Sequence, residues 1–299
     1  MSAEQSPYRV ARGRVCGVER VSPNFVRVTL HGPDIDDIGT VGQTFDQRIK
    51  LVFPPEGGSL PALPDTGDWY TAWLAIPEAE RGSMRTYSVR DLTRDGTETR
   101  LTIDFVLHLA PGLTGPASRW AHAAKPGDEL LVVGPRLGRT DGGGIEWQPG
   151  AARTLLLAGD ETAAPAIARI LEDSPADATG VAFIEVPDAG DQLAITAPAG
   201  VAVHWLARDG AAHGTALLPA VLDHLGAVPP AEPEVELRAA QAAEDGEELV
   251  WETPQYSGAG EELPPAPRHL DSYFWIAGES TVVTTLRRFL VKELEIDRH

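Results

Sequence analysis

The sequence predicts a β barrel plus α/β architecture: an antiparallel barrel in residues 1–150, then a parallel-sheet, nucleotide-binding-like domain in residues 151–299. Three observations point there. Short β-rich runs separated by Pro and Gly recur from Tyr8 to Val133, the pattern of a closed antiparallel barrel. Beyond residue 150, apolar runs alternate with helical patterns, as in a parallel sheet covered on both faces. Between the two lies Gly134 to Gly150, a loop dominated by Gly, Asp and Arg.

In the first half, strands are expected at Tyr8 to Val21, Phe25 to Leu30, Arg48 to Phe53, Tyr70 to Leu74, Arg85 to Val89, Leu101 to His108 and Glu129 to Val133. One Ala-rich helix interrupts them, Pro116 to Ala124, with Pro at its first position where the missing N–H does no harm. In the second half, strands are expected at Thr154 to Ala158, Val181 to Val186, Val201 to Leu206 and Tyr273 to Ala277. Helices are expected at Pro165 to Leu171, Ala216 to Leu225 and Thr281 to Leu294. A Pro- and Glu-rich stretch, residues 229–267, reads as a solvated excursion in which Val235 to Leu237 and Leu249 to Trp251 fit short strands.

Composition narrows the function. A formal net charge of −19 over 299 residues argues against nucleic acid or an anionic membrane surface as partner. No apolar run approaches the roughly 18 to 20 residues that span a bilayer, and residues 1–7 lack an apolar signal core, so a soluble, cytoplasmic protein is expected. The single cysteine, Cys16, leaves no disulfide within the chain and no cysteine-ligated metal cluster. No other residues have metal-ligand spacing. Redox chemistry here therefore needs a bound organic cofactor.

The residues best suited to hold one are Arg85-Thr86-Tyr87-Ser88-Val89-Arg90. On a strand Arg85 and Tyr87 share a face. A flat ring, a small hydroxyl and a guanidinium fork for phosphate together suit a flavin, although an exposed strand edge has the same composition. Gly115-Pro116-Ala117-Ser118 opens a helix, and free amides at such an end receive anions such as a pyrophosphate; an ordinary capped helix reads the same. Asp104, Val106 and His108 alternate along one strand and so face one side, placed to orient the rest of the cofactor or simply to end a strand. Gly159-Asp160-Glu161-Thr162 closes the first parallel strand, at the sheet edge where ligands bind. It is not a GxGxxG fingerprint, and two acids there would repel a pyrophosphate.

Taken in order, these motifs and Trp275-Ile276-Ala277-Gly278-Glu279-Ser280 resemble the siderophore-interacting proteins, FAD-containing ferric-siderophore reductases. The actinobacterial type is similar also in Trp251-Glu252-Thr253-Pro254 and Leu286-Arg287-Arg288-Phe289-Leu290-Val291. The resemblance implies a ferredoxin-reductase-like arrangement, an FAD-binding barrel followed by an NAD(P)H-binding-like domain. It implies that Arg85 binds flavin phosphate, Tyr87 packs on the isoalloxazine with Thr86 and Ser88 beside it, Gly115 to Ser118 hold the pyrophosphate, and Asp160 and Thr162 border the reactive edge. Lys50 is the one candidate to receive an anionic siderophore. Family members continue past the Asp297-Arg298 region with a further strand and a Gly-Tyr-Trp-Arg segment that this sequence does not contain.

The expected reaction is FAD-dependent reduction of a ferric siderophore with release of Fe(II), with no catalytic side chain and no protein metal site. NADH, NADPH or ferredoxin are the candidate donors: Asp188 and Asp191 disfavour a 2′-phosphate, whereas Arg208 is able to pair with one. A flavin oxidoreductase with another acceptor, or a non-enzymatic siderophore- or flavin-binding protein, would carry the same motifs.

Overall fold

The computed structural model describes residues 6–40, 42–109, 114–139, 141–227 and 271–292. Both possible strands in the excursion, the Trp251 motif and the last two residues of the helix expected to reach Leu294 lie outside the described residues. Contacts divide the chain into two units, one of residues 1–147 with 165–173 and 193–196, the other of the remainder.

The first unit is an antiparallel sheet of seven strands: β1 (Tyr8–Ser22), β2 (Phe25–His31), β3 (Arg48–Phe53), β4 (Ser83–Ser88), β5 (Asp91–Asp95), β6 (Glu98–Val106) and β7 (Glu129–Pro135), in the order β4-β3-β7-β1-β2-β6-β5. The sheet is a half-barrel rather than the closed barrel expected, because β4 and β5 end it without pairing. The chain itself spans that gap: the Val89 N–H donates to Gln47 O at 2.8 Å and the Arg90 N–H to Thr102 O at 2.9 Å. Alternation places Val15, Val28, Leu30, Ile49, Leu51, Phe53, Leu101, Ile103, Phe105 and Leu130 in one core.

Two sequence expectations change here. Tyr70 to Leu74 is not a strand; Trp69–Ala75 is a helix (α1), followed by the short helix Glu78–Arg81 (α2). Only Trp73 of that run is buried, against Val52 and Leu131, while Tyr70 and Leu74 are 50% and 47% exposed. A single inward side chain suits a helical turn; a strand would align Tyr70, Ala72 and Leu74 on one face. The polar strand β5 escaped notice because Asp91, Thr93, Arg94 and Asp95 carry no apolar period; it is held as an edge by a two-residue turn at Gly96-Thr97.

The helix expected at Pro116 is present as α3 (Pro116–Ala123) and packs against β2, β3, β4 and β6. A further helix, α4 (Ala164–Asp173), contributes residues 165–173 to this unit, where the Asp173 carboxylate accepts the Thr44 and Phe45 N–H groups, each at 2.9 Å.

The second unit is a four-stranded parallel sheet, β10-β9-β8-β11, made of β8 (Thr154–Gly159), β9 (Thr179–Val186), β10 (Gly200–Ala207) and β11 (Ser272–Ala277). Helices α5 (Leu217–His224) and α6 (Ser280–Lys292) bury Leu217, Leu218, Val221, Leu222, Val282 and Leu286 against Leu156, Ala158, Val181 and Phe183. Gly180, at φ +141°, lets β9 lie so close to β8 that a Cβ there would meet Leu155 O at 2.0 Å.

Candidate functional site

Strand β4 pairs only with β3, so its other edge is open. The register sets Arg85 opposite Leu51 and Tyr87 opposite Ile49, on the core face; Thr86 lies opposite Lys50 and Ser88 opposite Arg48, on the other face. Arg85 and Tyr87 thus share a side, as the alternation requires. The Tyr87 ring sits 4.7 Å from Phe105 and 6.5 Å from Phe53. Trp120 of α3 touches the same two rings, at 5.7 Å and 5.6 Å. One aromatic cluster therefore fixes both the Tyr87 strand and the helix that begins at Pro116. Burial pushes the Tyr87 phenol above its ordinary value, an effect the neighbouring Arg85 charge partly offsets.

Around this cluster lie several polar groups that have no ion pair among the described residues. Arg85 is exposed, donates to its neighbour's carbonyl, Met84 O, and has no ion pair among the described residues. Helix α3 starts at Gly115, and among the described residues no side chain caps it, so its first-turn amides are able to take an outside acceptor. A Cβ at Gly115 would meet nothing within 4 Å, which leaves its surroundings open. Lys50 donates to Thr86 Oγ1 at 2.6 Å; burial, with Arg48 beside it, lowers its amine below the ordinary value. An open strand edge, an exposed guanidinium, a helix start and a fixed aromatic ring fit a flavin with its phosphates.

Other residues singled out in the sequence are engaged within the fold. Asp104 is buried and gripped by Arg27, its cross-strand neighbour, at 2.7 and 2.8 Å, so its carboxylate is not presented to a ligand. Val106 ends β6, and His108 lies beyond it, exposed. The buried Ser118 hydroxyl donates to Val106 O and accepts the His108 N–H, both at 3.2 Å; it ties α3 to β6.

A cleft that the sequence did not signal is lined by Arg27, Arg90, Asp91, Thr102, Arg169 and Glu172. Its three guanidinium groups are paired: Arg27 with Asp104, Arg90 with Glu172 at 2.6 and 2.7 Å, and Arg169 with Asp91 and Asp173. It is an ionic girder rather than an anion site.

In the second unit, Asp160 Oδ1 accepts the Thr162 N–H at 2.8 Å and its hydroxyl at 2.6 Å, and Oδ2 accepts the Glu279 N–H at 2.7 Å. Asp160 and Thr162 thus clasp the turns after β8 and β11 together. Gly278, at φ +139°, is needed there, since a Cβ would lie 2.7 Å from Asp160 Oδ2. Glu161 is fully buried and forked by Arg208 at 2.5 and 2.9 Å. Burial alone would raise the Glu161 carboxyl, but hydrogen bonds and charge from Arg208 outweigh it and hold the group below its ordinary value. Arg208 is therefore not free to receive a phosphate.

Comparison with known proteins agrees with this division. The family model described as the siderophore-interacting FAD-binding domain matches residues 14–139, and that of the siderophore-interacting protein matches residues 152–299. The crystal structure of a siderophore utilization protein from T. fusca aligns with a TM-score of 0.65 and 32% identity, covering 99% of this chain and 90% of that one. The NADPH-dependent ferric-chelate reductase of Escherichia coli (strain K12) is 33% identical over 199 residues, 65% of this chain and 70% of that protein. Ferric vibriobactin reductase ViuB of Vibrio cholerae serotype O1 is 35% identical over 189 residues, 63% of each. The chain spans about 65% of the length of several curated relatives it matches. With family models covering both halves and a solved relative aligned along nearly its whole length, the chain belongs to the siderophore-interacting protein family.

Proposed function

We propose that the protein binds FAD in its first unit and reduces ferric siderophores, releasing Fe(II). The observation that carries this reading is the joint seating of Tyr87 and α3 on Phe53 and Phe105, with the exposed Arg85 guanidinium, which has no ion pair among the described residues, on the same strand face. FAD, when bound, supplies uptake of an electron pair and its release one electron at a time.

The chain's own residues supply placement. Arg85 offers a planar fork for phosphate. Gly115, Pro116 and Ala117 present the positive end of α3 to the pyrophosphate. Tyr87 gives the ring system a surface fixed by Phe105, while Ser88 and Thr86 offer hydroxyls. Ser118, through Val106 O and the His108 N–H, holds α3 on β6, and Asp104 ties β6 to β2 through Arg27, while Asp160 and Thr162 clasp the turns after β8 and β11 in the second unit. Lys50 gives an incoming anionic chelate a cation. Iron leaves because Fe(II) binds hard oxygen donors more weakly than Fe(III) does.

NADH, NADPH or ferredoxin supplies the electrons. The one thiol, Cys16, has no partner for a disulfide and suits a reducing cytoplasm. Among the described residues no helix is long and apolar enough to cross a membrane.

The test is to mix purified protein, FAD, a ferric siderophore and each donor in turn with an Fe(II) trap. The expected result is trapping that needs both FAD and protein. A yellow protein that is bleached by donor yet traps no iron would be an oxidoreductase with another acceptor. A protein that holds FAD or siderophore without turnover would be a binding protein. Either outcome overturns the reading.

A further inference from the structure

The turns after the strands of a parallel sheet are where such sheets take nucleotides, and here the chain's own carboxylates fill their anion-receptive groups. Glu185 Oε2 accepts the Gly214 N–H at 2.7 Å, and its Oε1 accepts the Ala216 and Leu217 N–H groups at 2.9 and 3.1 Å, occupying the start of α5. Asp160 takes the Glu279 N–H at the start of α6. Among the described residues of these turns the only Lys or Arg is Arg208. It is 8% exposed, gripped by Glu161 and 3.6 Å from Glu185. Asp188 and Asp191 follow β9, and His213 lies 3.8 Å from both Asp160 and Glu161. Among the described residues, a 2′-phosphate approaching this edge would find no unpaired guanidinium and would feel the buried charges of Asp160, Glu161 and Glu185.

We propose that Glu161, by neutralising Arg208, is a specificity-determining residue that makes the parallel-sheet unit reject the 2′-phosphate of a nicotinamide dinucleotide, so that NADH is taken in preference to NADPH. This rests on the reading that a nicotinamide nucleotide serves as donor.

The test uses two redox-inert probes, 5′-AMP and 2′,5′-ADP, titrated calorimetrically into flavin-loaded protein. Binding of 2′,5′-ADP about threefold or more weaker than that of 5′-AMP supports the proposal; equal or tighter binding of 2′,5′-ADP, or no binding of either probe, overturns it. Glu161→Gln keeps an acceptor for Arg208 but removes the charge, and should tighten 2′,5′-ADP by about threefold or more while leaving 5′-AMP unchanged. A folded Glu161→Gln protein with an unaltered ratio overturns the role of Glu161. Arg208→Gln serves if Glu161→Gln does not fold: it should leave the ratio unchanged, and a selective loss of 2′,5′-ADP would show that Arg208 holds the phosphate after all. Failure of the flavin reading is seen separately, as protein that stays colourless with FAD before any probe is added.

Discussion

The two units of this chain treat their polar groups in opposite ways. In the antiparallel unit, among the described residues, Arg85 on the edge strand β4 has no ion pair and no side chain caps the start of α3. In the parallel unit the corresponding features, the start of α5 and the Arg208 guanidinium, are occupied by Glu185 and Glu161. A topology that elsewhere binds nucleotides thus does not by itself provide a phosphate site. What matters is whether donors remain free once the fold has satisfied its own buried polar groups.

The largest effect that would break this contrast is expected at Glu185. Replacing it with alanine strips the acceptor from three backbone N–H groups and removes a carboxylate near Arg208. Stability should fall by about 3–5 kcal/mol in urea unfolding; a loss under about 1 kcal/mol would mean that the carboxylate is not integral to the fold.

Arg85→Ala should do the converse. Exposed and with no ion pair among the described residues, Arg85 contributes little to folding, and the unfolding free energy in urea should change by less than about 0.5 kcal/mol. FAD affinity should drop about tenfold or more, measured by fluorescence titration, because the charge-assisted phosphate contact proposed for Arg85 would be lost. A stability loss with intact FAD binding would refute the contrast.

Ser118→Ala gives the smallest and most discriminating change. Its hydroxyl already bridges Val106 O and the His108 N–H, so about 1 kcal/mol of stability should go. FAD affinity should stay within about twofold; a larger drop would show the hydroxyl turning to the ligand.

Local residue chemistry carried much of this. Pro116 after Gly115 marked the start of α3, alternation put Arg85 and Tyr87 on one face, and the change of period near residue 150 separated antiparallel from parallel pairing. These follow from nearest-neighbour geometry, which a sequence states directly. Trp69–Ala75 was misread because its exposed Tyr70 and Leu74 imitate a strand's apolar run, and Asp91–Asp95 was missed because an edge strand needs no apolar period.

Which polar groups stay free was decided by tertiary structure alone. Asp104 and Arg27 lie 77 positions apart, Arg90 and Glu172 lie 82 apart, and Glu161 and Arg208 lie 47 apart. By itself the sequence determined which elements form and which side chains each carries on a given face. Whether a carboxylate meets a guanidinium or is left to a ligand depended on elements brought together across the chain, because burial makes an unpaired charge costly and forces such groups to find partners wherever the fold supplies them.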